Sequence, residues 1–135
     1  MATNLQFSST LRNNRVSQLQ STVWTTGAAP TLVIYSGAEP ANCAAASPTG
    51  VLATITLPTT FLSSSGGVTT IAGSWSVAAS GTGTAASFRI FDNAGTCHIQ
   101  GTVGTASTDL VLNNTSITSG QTVTVTSFTV TDGNA

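Results

Sequence analysis

The feature that most constrains the fold is a run of short alternating segments between Ala85 and Thr131. Apolar residues recur at every second position in this run, and Gly, Asn, Asp and Ser residues separate the segments. This pattern is typical of half-buried β-strands joined by tight turns. The alternation slips near Ser127, which predicts a β-bulge there. The strands predicted in this run are 87–91, 97–103, 110–112 and 122–131.

The first part of the chain predicts one helix. Ser8 or Ser9 can cap it, and an apolar residue then recurs at helical spacing up to Val23. We predict a helix at about 9–25 that covers an open face or edge of a sheet or, as the alternative, docks on a partner. Its apolar stripe is Leu11, Val16, Leu19 and Val23.

Three further strand regions are predicted before the alternating run, at 31–35, 51–57 and 68–80. In the last of them Ile71, Gly73, Trp75, Val77 and Ala79 would share one face. The Ser/Gly-rich stretch 61–67 is expected to be a loop with an apolar anchor, Phe61-Leu62. The stretch from Ala38 to Gly50 is rich in Ala, Pro, Ser and Asn, and predicts a long surface loop.

Strand follows strand without intervening helices, which indicates an antiparallel sheet protein rather than an α/β fold. We therefore predict a mainly β fold, an antiparallel β-sandwich that is jelly-roll-like, with one N-terminal α-helix. The 135 residues suffice for one hydrophobic core. The expected organisation is an extended arm at 1–7 and a single domain at 8–135.

The chain has very few charged residues. It contains no lysine, three arginines and four acidic residues, and charged residues make up 5% of the sequence against about 25% in typical proteins. Three arginines cannot neutralise a row of phosphates, which argues against nucleic acid and against an anionic membrane surface as partners. A net charge of −1 favours association, because proteins near neutrality repel one another weakly.

The N-terminal stretch has no apolar run of the kind found in signal peptides, which predicts synthesis in the cytoplasm. Cys43 and Cys97 lie far apart without a CxxC spacing. One disulfide between them is arithmetically allowed, but two free thiols are the expectation for a reducing compartment.

The residues that could carry out chemistry are few. His98 follows Cys97, but neighbours in a strand point to opposite faces, so a structural histidine is the preferred interpretation. Asp92 and Asp132 have ordinary turn explanations, and Asp109 precedes a strand. We therefore expect no catalytic residues, no cofactor and no metal site.

The two tryptophans allow a binding alternative. Trp75 is in phase with the apolar face of its strand and is predicted to be in the core. Trp24 lies at the end of the helix and is more open, so that Trp24 together with Tyr35 could form an aromatic platform for a sugar.

Four segments carry a resemblance to a known group of proteins. Their order and spacing, after a helix with arginines, resemble small structural proteins of tailed bacteriophages and prophages over roughly residues 8–131. Cys43 and Cys97 stand where other small residues would be expected. The segments are Leu32–Pro40, Phe88–Gly95, Gly101–Gly104 with Asp109–Asn113, and Thr122–Thr131.

The resemblance implies a non-enzymatic virion component. Within that group the preferred assignment is a capsid decoration (cement) protein on the outer head shell, bound to the major capsid protein and clustered as a homo-oligomer, with a trimer favoured. Alternatives are a receptor- or carbohydrate-binding module of a tail or head fibre, and a tail or neck connector component. The candidate partner-binding residues are Leu5, Phe7, Trp24, Glu39 and Pro40.

Overall fold

The computed structural model describes residues 6–24 and 29–132. The fold is mainly β with one N-terminal helix, which confirms the predicted fold class. The helix α1 is Ser9–Val23. The strands are β1 Thr31–Tyr35, β2 Val51–Thr56, β3 Leu62–Ser65, β4 Val68–Ile71, β5 Ser76–Ala78, β6 Gly83–Thr84, β7 Ser87–Phe91, β8 Cys97–Gly104, β9 Leu110–Leu112, β10 Ser116–Ile117 and β11 Thr122–Thr131.

The sheet is long and strongly curled. Its strand order is β2-β1-β7-β8-β9-β11-β4-β3, with β5 also paired to β11 and with β6 and β10 forming a separate small ladder. The carbonyl of Leu52 in β2 accepts hydrogen bonds from the amides of Ser80 and Gly81, which follow β5. The sheet therefore bends until its first edge meets the segment after β5, and the apolar residues lie inside the bend.

All but one of the strand pairs are antiparallel. The exception is β8 with β9, which run parallel, so the predicted wholly antiparallel sheet is wrong at this pair. The connection from β8 passes through residues 105–109 and re-enters the sheet in the same direction. The predicted bulge in β11 is confirmed, because the register with β9 shifts between Val125 and Ser127.

The core is built from the inward faces of this curled sheet. Trp75 is 1% exposed, and its ring lies 6.1 Å from that of Phe61 and 5.9 Å from that of Phe128. Phe88 meets Phe128 edge to face at 5.8 Å. The indole Nε1 of Trp75 donates to the carbonyl of Ala72, so Trp75 is buried without an unpaired polar atom. The predicted core position of Trp75 is confirmed.

Helix α1 begins where the sequence indicates. Ser8 is extended and its hydroxyl accepts a hydrogen bond from the amide of Leu11, which satisfies one free N–H of the first turn. Val16 and Val23 are buried, whereas Leu11 is 45% exposed, so the apolar stripe is narrower than predicted. Gln20 Oε1 accepts from the amide of Leu62, and the helix thereby covers the edge formed by β3 and β4.

Two predictions for residues 61–80 are wrong. The stretch expected to be a loop contains the edge strand β3, which pairs with β4 through the two-residue turn Gly66-Gly67. Both glycines have positive φ, 60° and 81°, as the hairpin turn that suits strand twist requires. The single strand expected at 68–80 is divided into β4 and β5, and Gly73 between them has a φ of 74°.

The Gly66-Gly67 turn offers a matched pair of substitutions. A Cβ at Gly67 would lie 2.9 Å from Cβ of Arg12, whereas a Cβ at Gly66 would meet nothing within 4 Å. Both Gly→Ala changes lower the free energy of unfolding by about 1–2 kcal/mol, because alanine is strained in the left-handed backbone conformation. We expect Gly67→Ala to lower the free energy of unfolding further, because α1 must move. Denaturant titration of both variants measures this; equal losses would contradict the contact between turn and helix.

Candidate functional site

The charged side chains are almost all engaged inside the domain. Arg15 Nε lies 3.3 Å from Asp132 Oδ2, in an ion pair without hydrogen-bond alignment, and Arg12 Nε donates to the Asp132 carbonyl at 2.9 Å. Asp109 accepts from the amide and hydroxyl of Thr102. Within the described part of the chain, Glu39 is the one charged side chain for which the structure shows no hydrogen bond or ion pair.

Glu39 lies on the predicted long loop, which folds back over the outer face of the sheet. The segment 38–50 contains no helix or strand. Its ends are joined by hydrogen bonds from the amide of Ser36 to the carbonyl of Gly50 and from the amide of Gly37 to the carbonyl of Thr49. We call this segment the covering loop. It lies over strands β7 and β8, which it contacts through Arg89, Gln100 and Cys97.

Side chains of the sheet hold the covering loop from below. Gln100 Nε2 donates to the carbonyl of Pro40 at 2.7 Å. Arg89 Nη2 donates to the carbonyl of Asn42 at 3.0 Å, and its Nη1 lies 3.3 Å from Ser47 Oγ. Arg89 and Gln100 are register partners in the β7–β8 ladder. The loop is therefore held by polar contacts at several points and presents Glu39 in an exposed position.

A disulfide between Cys43 and Cys97 also joins the covering loop to the start of β8. Their Cα atoms are 5.4 Å apart, inside the usual range for a disulfide. The expectation of two free thiols is therefore wrong. The two cysteines are 54 positions apart in the chain, and only the folding of the loop over the sheet brings them together.

Arg89 is an unusual group for this position. It is 2% exposed and no carboxylate pairs with it in the part of the chain that the structure describes. Its Nε has no hydrogen-bond partner there. A guanidinium remains charged at any relevant pH, and burying a charge without an opposite charge is costly. On the outer face of β7, the charged group of Arg89 thus lies beneath the covering loop, which supplies its hydrogen-bond acceptors.

Sequence reasoning did not single out Arg89 or Gln100. The signal was present in the segment Phe88-Arg89-Ile90, where two apolar residues share the core face and the arginine between them points to the outer face. An arginine on an outer face is ordinarily exposed to solvent. Its burial follows from the covering loop, whose position the sequence does not reveal.

The predicted partner-binding residues fall in three separate places. Leu5 lies outside the described residues. The ring of Phe7 lies 4.9 Å from the guanidinium carbon of Arg15, at the start of α1. Trp24 follows the end of α1 and packs partly buried against the core. A helix of this length is about 22 Å long, which separates Phe7 from Trp24, whereas Glu39 and Pro40 share the covering loop.

The aromatic platform of the sugar-binding alternative is not formed. Tyr35 lies at the end of β1 and is 3% exposed. Trp24 is half-buried against the core. A flat pair of exposed rings at Trp24 and Tyr35 is therefore absent from the described structure.

The concave surfaces of the described structure are shallow. Four open grooves flank α1, with volumes between about 150 and 280 Å³, below the range of about 300–1,000 Å³ usual for small-molecule sites. Among residues 6–24 and 29–132, no group of three or more His, Cys, Asp or Glu side chains is placed to hold a metal ion. The same residues contain no helix long and apolar enough to cross a membrane.

His98 is engaged with Asp92 rather than with a nucleophile. His98 Nε2 donates to Asp92 Oδ2 at 2.9 Å. Asp92 Oδ1 accepts from the amides of Ala94 and Thr96, as expected for an acidic residue that organises a tight turn. Cys97 is in the disulfide and carries no thiol. The hydrogen bond between His98 and Asp92 stabilises the turn between β7 and β8.

The Asp92 turn predicts an acid-sensitive contribution to stability. The hydrogen bonds from His98, Thr96 and Ala94 lower the pKa of Asp92 below its ordinary value of 3.8. A lowered pKa stabilises the fold above the unfolded-state value, and this contribution is lost as the pH falls through the folded-state value. We expect the free energy of unfolding to decline below about pH 4 and to decline less in Asp92→Asn, which keeps the Oδ1 acceptor. Urea titrations between pH 2 and pH 7 measure both, and identical profiles would refute the assignment.

No protein-family model, curated protein or solved structure matches this chain.

Proposed function

We propose that this chain is a non-enzymatic virion structural protein, a capsid decoration or cement protein that binds the outer head shell as a homo-oligomer, with a trimer favoured. The observation that carries the proposal is the low charge of the protein surface. The charged groups are few and, apart from Glu39, are engaged within the domain, so that the surface consists mainly of hydroxyl, amide and small apolar groups.

Such a surface suits dense packing on a lattice. Copies that carry little charge repel one another weakly when they crowd on a shell. The chain has no lysine, and burial of a lysine side chain costs up to about 2 kcal/mol of rotamer entropy, whereas short hydroxyl side chains lose less. Lysine is also depleted from protein interfaces. A lysine-free, hydroxyl-rich surface therefore loses little conformational entropy on assembly.

The covering loop supports a contact role for Glu39 and Pro40. In the disulfide-bonded chain, hydrogen bonds from Arg89 and Gln100 and the Cys43–Cys97 bond hold the loop in one conformation. A preorganised loop avoids an ordering cost on binding. Glu39 would meet a basic or hydrogen-bond-donating group of the major capsid protein. Phe7, together with Leu5 of the arm, is a second candidate contact.

The test is a binding experiment with shells that lack this chain. Purified chain is added to purified heads of the phage that encodes it, and bound chain is measured by sedimentation. We expect saturable binding and a higher melting temperature of the shell, because a ligand that binds only the assembled shell stabilises it by mass action. Binding should change little with salt, since few charges take part. Absence of saturable binding would refute the proposal.

Two variants locate the contact. Glu39→Arg places a bulky, oppositely charged group on the covering loop, and Thr129→Arg places the same group on an exposed position of β11. We expect Glu39→Arg to weaken shell binding and Thr129→Arg to leave it unchanged. If Thr129→Arg weakens binding and Glu39→Arg does not, the shell is bound through the β11 face. That result would overturn the assignment of the contact to the covering loop but not the decoration proposal.

A further inference from the structure

The covering loop is attached to the domain without taking part in its hydrophobic core. No residue of 38–50 belongs to the cluster of buried apolar side chains. The hydrogen bonds that hold it come from the side chains of Arg89 and Gln100 on the outer sheet face and from the backbone amides of Ser36 and Gly37. The domain can therefore keep its core while the loop is attached or detached.

Arg89 and Gln100, the polar residues beneath the covering loop, have hydrogen-bonding atoms that are left unpaired when the loop is closed. Arg89 is 2% exposed without a carboxylate partner in the described structure, and Gln100 Oε1 is buried there without a hydrogen bond. Both groups would gain hydrogen bonds if solvent entered, because buried unpaired polar and charged groups carry a desolvation penalty. The electrostatics of these residues thus oppose closure of the loop, and the disulfide acts against this tendency.

The disulfide is placed where it can be reached. Cys43 lies in the middle of the covering loop and Cys97 at the first position of β8, and both residues are partly exposed rather than buried. Neither belongs to the core cluster. Because both residues are partly exposed and lie outside the core, we expect a thiolate from solution to reach the disulfide without unfolding of the sheet, as disulfide exchange requires.

We propose that the Cys43–Cys97 disulfide is a redox latch that holds the covering loop closed over Arg89. A dithiol reductant opens it: one thiolate attacks a sulfur of the pair, the S–S bond breaks and a mixed disulfide forms. The second thiol of the reductant then displaces the protein sulfur. Two electrons and two protons pass to Cys43 and Cys97, which become thiols, and the reductant becomes a cyclic disulfide. The loop then leaves the outer face of β7 and β8 while the curled sheet stays folded.

This latch concerns the isolated chain and does not depend on shell binding. It makes the exposure of Arg89 and the placement of Glu39 functions of the redox state. A chain made in a reducing compartment would carry an open loop, and oxidation after release would close it.

Hydrogen exchange followed by mass spectrometry on the full chain tests the latch. After treatment with a dithiol, we expect amides in 38–50 to exchange at least about tenfold faster, whereas peptides from β7 and β11 remain protected. Re-oxidation should restore the slow exchange. The variant Cys43→Ser/Cys97→Ser should show fast loop exchange with and without the dithiol, which controls for effects of the reagent.

Two results would overturn the proposal. Unchanged exchange in 38–50 after complete reduction, verified by thiol alkylation, would mean that the hydrogen bonds alone hold the loop. Simultaneous loss of protection in the loop, β7 and β11 would mean that the disulfide supports the whole fold and does not act locally.

Discussion

Replacing Trp75 with alanine is expected to lower the free energy of unfolding by about 3–5 kcal/mol, the range for removal of a large aromatic side chain from a core. Trp75 is 1% exposed and contacts the rings of Phe61 and Phe128. It lies between β4 and β5, where its ring packs between Phe61, which precedes β3, and Phe128 of β11. Its loss leaves a cavity at this junction.

Chemical denaturation with fluorescence or circular dichroism measures the effect of Trp75→Ala. The matched control is Leu11→Ala on α1, since Leu11 is 45% exposed and should lose less than about 0.5 kcal/mol. Similar losses for the two variants would contradict the position of Trp75 in the core.

Removing the disulfide by Cys43→Ser/Cys97→Ser is expected to lower the free energy of unfolding by roughly 4 kcal/mol, the value that chain entropy gives for this loop length. The two cysteines are 54 positions apart, and the loop that the bond closes contains the strands β2 to β7. Without it the unfolded chain gains conformational freedom. The folded core should remain, because neither cysteine belongs to it.

The reduced wild-type chain is the control for this variant. Reduced wild type and the double variant should unfold at the same denaturant concentration, both below the oxidised wild type. Identical midpoints for oxidised and reduced wild type would show that the bond does not form in solution or does not constrain the unfolded state.

The sequence is sufficient to predict the strands that are short apolar or alternating segments bounded by turn residues. The segments 31–35, 87–91, 110–112 and 122–131 are strands as expected, and the bulge near Ser127 follows from the phase slip. Period-2 alternation reports directly on which face is buried. The same signal places Trp75 in the core, because its neighbours at alternate positions are apolar.

The missed features depend on contacts between distant parts of the chain. Strand β3 is Ser-rich and shows no alternation of apolar and polar residues. It forms because the Gly66-Gly67 turn lets it pair with β4, and because Gln20 of the helix accepts a hydrogen bond from its first amide. The disulfide and the burial of Arg89 both follow from the fold of residues 38–50 over the sheet. Polar loops carry little periodic information, so their tertiary contacts cannot be derived from spacing alone.

In the candidate site, too, the local features could be predicted from the sequence and the contacts between distant residues could not. The position of Glu39 and Pro40 on a surface loop was predictable from composition, whereas the rigid attachment of that loop by Arg89, Gln100 and Cys97 was not. Tyr35 was proposed as part of an exposed aromatic pair and is buried. An aromatic residue at a strand end gives no sequence signal of whether the fold buries it or leaves it exposed.

The most direct test of the decoration proposal is the copy number of this chain in purified virions. Quantitative mass spectrometry with isotope-labelled peptides gives the ratio of this chain to the major shell protein in the same particles. The account predicts a ratio of the same order as one chain per shell subunit, as repeated binding sites on a symmetric shell require. A chain present at only a small fraction of the shell protein, as expected for a tail, neck or fibre component, would contradict it.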